Sequence, residues 1–127
     1  GDRLGPLVNA KQRDRVRGYI EKGLAEGARL AAGGPESPCE RGYFVSPTVL
    51  ADVTPELSVA QEAIFGPVLS VLRYEDEEDA LRIANGTVYG LAGPLWAAHE
   101  AEAAAFARRM DTGQVDINRA RFNPRAP

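Results

Sequence analysis

From Tyr43 onward the sequence alternates short β-rich runs with helix-patterned ones, and this alternation limits the fold more than any other feature. The β-rich runs fall at 48–53, 68–74, 91–96 and 114–118. Between them lie a helical turn near 58–64, a helix near 77–85 and an alanine-rich helix near 100–110. A crossover helix that returns the chain in the same direction must cover a sheet face, so the pattern predicts an α/β fold: a largely parallel sheet with covering helices.

The punctuation of the chain agrees with this reading. Asn9 stands where a helix N-cap belongs, and Gln12, three residues on, has the spacing to reach back in a capping box. Val16, Tyr19, Ile20 and Leu24 follow at helical spacing, and Gly27 is placed to stop the helix. A short strand is expected at 29–32, ending at Gly33-Gly34, and the Pro, Gly and Ser content of 35–42 marks a loop. Asp76 is the expected cap of the helix near 77–85, with Asp79 three residues later, and the alanine-rich helix ends before Gly113. The acidic run from Glu75 to Asp79 suits a helix start, where the dipole favours negative charge.

Composition narrows the class. At 127 residues the chain is the size of one ordinary domain, roughly 100–150 residues. Its 44% apolar and 26% charged residues are the balance of a folded soluble protein. No apolar stretch approaches the ~20 residues that a membrane helix requires. The polar sequence after Gly1-Asp2-Arg3-Leu4 lacks the apolar core of a signal peptide. A net charge of −3 with scattered Arg and Glu offers no basic face to nucleic acid. With a single cysteine, Cys39, no intrachain disulfide forms, and the expected compartment is the cytoplasm.

Seven strings then carry a resemblance along nearly the whole chain. They are Gly5-Pro6-Leu7, Gly33-Gly34, Gly42-Tyr43-Phe44-Val45-Ser46-Pro47-Thr48-Val49, Ile64-Phe65-Gly66-Pro67-Val68, Ala84-Asn85, Tyr89-Gly90-Leu91-Ala92 and Gly113-Gln114-Val115-Asp116-Ile117-Asn118. In this order and spacing the sequence resembles the C-terminal part of the catalytic domain of NAD(P)-dependent aldehyde dehydrogenases. The resemblance implies an oxidoreductase that oxidises an aldehyde to a carboxylic acid, with NAD or NADP as cofactor.

Residue by residue, it implies two cofactor contacts and one substrate contact. On its own, Phe65 reads as a core aromatic in a turn whose glycine, Gly66, permits a close approach and whose Pro67 suits the first position of a strand. By resemblance Phe65 lies against the nicotinamide, and Leu91 near the same ring. Phe122, in the string from Asn118 to Asn123, matches the segment that lines the mouth of the aldehyde tunnel, or else belongs to a flexible chain end.

One departure concerns the cofactor. The family usually has a glutamate directly before Ile-Phe-Gly-Pro, accepting hydrogen bonds from the nicotinamide ribose; here that position is Ala63. Glu62 is adjacent, but neighbouring side chains on a helical turn diverge by roughly 100°, so it is not expected to substitute.

The larger departure is what the segment omits. The family reaction needs a cysteine thiolate, amides for the oxyanion and a glutamate base, all upstream of this segment, as is the dinucleotide-binding domain. Cys39 does not replace the nucleophile: it sits in a loop between Glu36, Glu40 and Arg41, where the family has no catalytic residue. His99 has the position of a helix cap and no partner at metal-ligand spacing. The chain also stops inside a family string, before the oligomerisation arm.

Residues 1–127 are therefore expected to be a partial catalytic domain. It carries no catalytic or metal-binding residue, is inactive alone, and binds no cofactor by itself. Its expected partners are the missing N-terminal portion and, through apolar faces left open, further copies of itself. The alternative is a non-catalytic scaffold or interaction domain that kept the fold.

Overall fold

The computed structural model describes residues 4–119. Its elements run α1 (Ala10–Ala25), β1 (Arg29–Ala32), β2 (Thr48–Ala51), α2 (Ser58–Gln61), β3 (Val68–Ser70), α3 (Glu77–Ala84), β4 (Gly93–Leu95), α4 (Glu100–Ala107) and β5 (Val115–Ile117). They form two compact units that divide after Arg73.

In the first unit the strand order is β1-β2-β3. β2 and β3 are parallel, with Thr48 opposite Val68 and Leu50 opposite Ser70. β1 adds antiparallel to β2, with Leu30 opposite Leu50 and a bulge between Leu30 and Ala32. In the second unit β4 and β5 pair in parallel, Gly93 opposite Val115 and Leu95 opposite Ile117. The fold is α/β, and among the described residues two of the three strand pairings are parallel, divided between two small sheets.

The strand at 29–32 forms in full, each of the four β-rich runs forms a strand shorter than itself, and the backbone shows why at two of them. Asp52 and Asn118 adopt φ of 56° and 54°, in the left-handed region that an extended strand cannot contain. They turn the chain out immediately after Ala51 and Ile117.

α1 is the platform of the first unit. The Asn9 side chain caps it by accepting from the Gln12 amide at 2.9 Å. At the other end Ala28 N–H donates to the Gly23 carbonyl and Gly27 N–H to the Leu24 carbonyl, with Gly27 at φ 110°, the Schellman arrangement that a glycine makes inexpensive. Val16 and Ile20 are fully buried, and with Leu50, Val53, Val59 and Ile64 they form the core, with Tyr19 and Leu24 packed at its edge. Burying a side chain of the Val or Ile class is worth roughly 1.5–3 kcal/mol, so this face of α1 is where the unit gains its cohesion.

Glu26, just past the helix, accepts from the Ser58 amide at 2.9 Å and hydroxyl at 2.7 Å, tying α1 to the start of α2. In the second unit the Asp76 side chain accepts from the Asp79 amide at 2.8 Å, as the spacing predicts. Ala103 of α4 is that unit's deeply buried apolar residue among the described residues.

The capping box forms by halves. The Asn9 half is present, but the Gln12 side chain does not return to Asn9: its Nε2 donates to the carbonyls of Ile64 and Phe65, at 3.0 and 2.9 Å. A long-range contact takes the side chain that local spacing assigns to the cap, because it satisfies two backbone acceptors in place of one amide.

Candidate functional site

Ile64 and Phe65 lie in the turn that joins α2 to β3, and the two neighbours face opposite ways. Ile64 is buried in the core; Phe65 is 75% exposed. Phe65 also has φ of 57°, an uncommon conformation for a bulky side chain, costing roughly 1–2 kcal/mol. A large apolar ring that is both strained and open to solvent contributes little to the core.

The turn is held from α1. Arg15 donates from Nη1 to the Ile64 carbonyl at 2.8 Å and from Nη2 to the Ala63 carbonyl at 2.9 Å, while Gln12 holds the carbonyls of Ile64 and Phe65. The Arg15 guanidinium stands 4.8 Å from the centroid of the Tyr19 ring and 5.9 Å from that of Phe65. Gly66 follows, and a Cβ built there would lie 2.5 Å from Val16 Cγ2, so the turn rests against the core with no room for a side chain. The close approach expected of Gly66 is present, and Pro67 stands directly before β3.

Ala63 has no side-chain polar group to offer the ribose of a nucleotide. The Glu62 carboxylate accepts from the Tyr19 hydroxyl and lies 3.9 Å from Lys22 Nζ, so it is engaged with α1. The hydrogen bond to Glu62 is the main cause that raises the Tyr19 phenol above its ordinary pKa.

Leu91 lies in the second unit, in the segment before β4, and is 78% exposed. Its neighbour Gly90 packs on the backbone of 111–113: a Cβ at Gly90 would fall 2.5 Å from the Asp111 carbonyl oxygen, and Gly113 N–H donates to the Gly90 carbonyl at 2.8 Å. Asn85 supports the same stretch, its Nδ2 donating to the Arg109 carbonyl and its Oδ1 accepting from the Asp111 amide, both at 2.9 Å. The exposed Leu91 is thus carried on a well-braced turn. Phe122 lies outside the described residues.

Cys39 is exposed in the 35–42 loop. His99 is the N-cap of α4 through its backbone carbonyl, which accepts from Ala103 N–H, and its side chain makes no capping bond. Among the described residues no three His, Cys, Asp or Glu side chains gather as a metal site would require, and no helix is long and apolar enough to cross a membrane. A cavity of about 430 Å³ in the second unit is lined mainly by Tyr74, Ala80, Leu95, Trp96, Ala103 and Phe106.

Resemblance singles out Phe65 and Leu91, and the structure places both exposed on braced turns; the hold of Gln12 and Arg15 on the Phe65 turn carries no sequence signal. Their role depends on partners 48 to 53 residues away, and no local spacing signals it.

Comparison with known proteins gives the family. The model of the aldehyde dehydrogenase family matches residues 1–127. Geranial dehydrogenase of Castellaniella defragrans is 50% identical over 115 residues, covering 91% of this chain and 24% of that protein. A putative aldehyde dehydrogenase of Staphylococcus aureus is 44% identical over 129 residues, covering 100% of this chain and 27% of the relative. Among solved structures, Mycobacterium tuberculosis aldehyde dehydrogenase complexed with NAD+ superimposes with a TM-score of 0.90 at 47% identity, covering 96% of this chain and 26% of that one. Aldehyde dehydrogenase C of Pseudomonas syringae, complexed with NAD+ and octanal, gives 0.91 at 41% identity, covering 98% and 26%. The chain therefore spans about a quarter of the length of its relatives. A family match over residues 1–127 and a fold match over 96% of the chain make it a member of the aldehyde dehydrogenase family.

Proposed function

We propose that this chain is the C-terminal part of the catalytic domain of an enzyme that oxidises an aldehyde to a carboxylic acid with NAD+ or NADP+. The observation that carries the reading is Phe65: an apolar ring 75% exposed, in a left-handed conformation, and braced by four hydrogen bonds to the turn that bears it. Such a ring fits the face of a nicotinamide, to which it offers an apolar surface that does not compete for hydride. Leu91 is the second contact, exposed on its own braced turn. Phe122 is assigned to the substrate mouth.

When bound, the nicotinamide supplies the acceptor for the hydride that leaves the substrate carbon. The residues of this chain orient that ring and shield it from water. The ribose is less well served. Without a carboxylate at position 63, each missing hydrogen bond to a charged acceptor costs roughly 1.5–3 kcal/mol, a factor of ten or more in affinity. By the resemblance, the nucleophile, the base and most of the cofactor site lie upstream of this segment; the relatives are about four times its length.

Residues 1–127 alone are therefore expected to show no aldehyde oxidation, with the N-terminal portion as their obligatory partner. Open apolar side chains such as Val8, Val88 and Trp96 favour self-association when that partner is missing. The compartment that suits this chemistry and the single cysteine is the cytoplasm. The test is to express residues 1–127 and the full reading frame side by side and assay NAD(P)+-dependent oxidation of octanal. Turnover by the full frame only is the expected result; turnover by residues 1–127, or none by a folded full-length protein, overturns the reading.

One observation favours a second reading, a non-catalytic scaffold. Ala63 and the engagement of Glu62 with Tyr19 together remove the ribose carboxylate. A full frame that lacks the upstream cysteine and glutamate would decide for it.

A further inference from the structure

We infer that Gln12 and Arg15 are positioning residues for Phe65, setting the backbone state that presents its ring. The inference rests on the reading of Phe65 as a nicotinamide contact. Three successive carbonyls, of Ala63, Ile64 and Phe65, face α1 and are held by two side chains through four hydrogen bonds of 2.8–3.0 Å. Gln12 and Arg15 stand three residues apart, one helical turn, so both reach the same stretch of chain.

The Ile64 carbonyl accepts from both side chains. Rotating the peptide between Ile64 and Phe65 into a more common conformation would swing that oxygen away from both donors at once. The bonds therefore select the left-handed state of Phe65 against the conformations that an L-residue ordinarily prefers. The guanidinium also stands 5.9 Å from the centroid of the Phe65 ring, within the range of cation–π attraction, so Arg15 restrains both the backbone and the ring.

The platform is rigid. Val16, directly after Arg15, is fully buried and lies against Gly66 of the same turn. α1 thus fixes the turn by packing below it and by hydrogen bonds along it. Gln12 and Arg15 act through Phe65; neither is assigned a catalytic role.

The full reading frame is the protein to test, with nucleotide affinity read by calorimetry on NAD+ and on nicotinamide mononucleotide. Arg15→Ala, Phe65→Ala and their combination make a double-mutant cycle. Gln12→Glu is nearly isosteric but places an acceptor against two carbonyl oxygens. Arg15→Ala and Gln12→Glu are each expected to weaken binding about fivefold, and Arg15→Ala to add nothing once Phe65 is alanine. Losses that multiply mean that Arg15 acts on the nucleotide by itself, and overturn the positioning role alone. An unchanged affinity in Phe65→Ala removes the reading of Phe65, and the inference with it.

A second measurement needs no nucleotide. With 4-fluorophenylalanine at position 65, the fluorine resonance is expected to move or split in Arg15→Ala and in Gln12→Glu, as the ring leaves its single setting. A single unmoved resonance in both variants overturns the inference while leaving the reading of Phe65 intact.

Discussion

Replacing Phe65 by glycine should leave the protein more stable than replacing it by alanine. Both substitutions delete the same ring and the same contacts, so their difference isolates the backbone. At φ 57° a side-chain-bearing residue is disfavoured by roughly 1–2 kcal/mol relative to its preferred conformations, and glycine is not. Glycine also gives up more freedom on folding, which costs about 0.5–1 kcal/mol relative to alanine. The balance favours Phe65→Gly by roughly 0.5–1 kcal/mol, whereas in an ordinary helix or strand alanine wins by a similar amount. With a urea slope of about 1–3 kcal/mol per molar, the midpoints should differ by roughly 0.2–1 M, glycine higher, at equal slopes. Helical circular dichroism during urea titration reads this directly. An alanine variant as stable as the glycine variant, or more so, would refute the claim that the turn holds residue 65 against its own preference.

Gly66→Ala places a Cβ 2.5 Å from Val16 Cγ2 in a filled core, and an overpacking cost of about 1–3 kcal/mol is expected by the same titration; an unchanged midpoint would contradict the close approach. The Glu26 carboxyl is held below its ordinary pKa, chiefly by the Ser58 hydroxyl and then by the Ser58 amide. Its stabilisation is therefore complete above the ordinary glutamate pKa and lost as pH falls through the lowered folded value. Ser58→Ala should flatten that acid limb; wild-type and variant curves that run parallel from neutral pH through the carboxylate range would exclude the coupling. Asp76→Ala removes the cap of α3 and should cost about 1 kcal/mol, visible as a lower thermal midpoint, and Asp76→Asn should recover most of it. Ala63→Glu in the full reading frame should raise NAD+ affinity about tenfold or more, measured by calorimetry; no gain would mean that the ribose is held by other means.

The parts of this fold that the sequence makes legible are those decided within a few residues. Asn9 and Asp76 cap the helices that their spacing assigns, Gly27 ends α1 in the left-handed conformation, and 29–32 is a strand. What was not legible depends on contacts across the chain. Asp52 and Asn118 end their strands by turning left-handed within runs that read as β throughout. The split of the strands between two sheets follows from which strands meet, and periodicity carries no record of that. The proposed role of Phe65 comes from resemblance alone. Its φ is held by side chains about 50 residues earlier, and one of them, Gln12, carries a local signature that points to a cap.

The strings that carry the resemblance have physical causes that can be separated from the chemistry of the site. Gly66 is required by Val16, Gly90 by the Asp111 carbonyl, and Asn85 satisfies two backbone groups at once. Each answers to a neighbouring backbone or core atom and would be needed whether or not a nucleotide ever bound. Ala63 answers to none of these demands through its side chain, since what Arg15 holds there is the backbone carbonyl. A residue held through its backbone carbonyl can change its side chain and keep that hydrogen bond. By the resemblance, that is how the turn at 64–67 can be kept while position 63 departs from the glutamate expected there. The stability of this turn and its proposed grip on a cofactor are therefore separable properties: substitutions at Gly66 should move the first, and substitutions at position 63 the second.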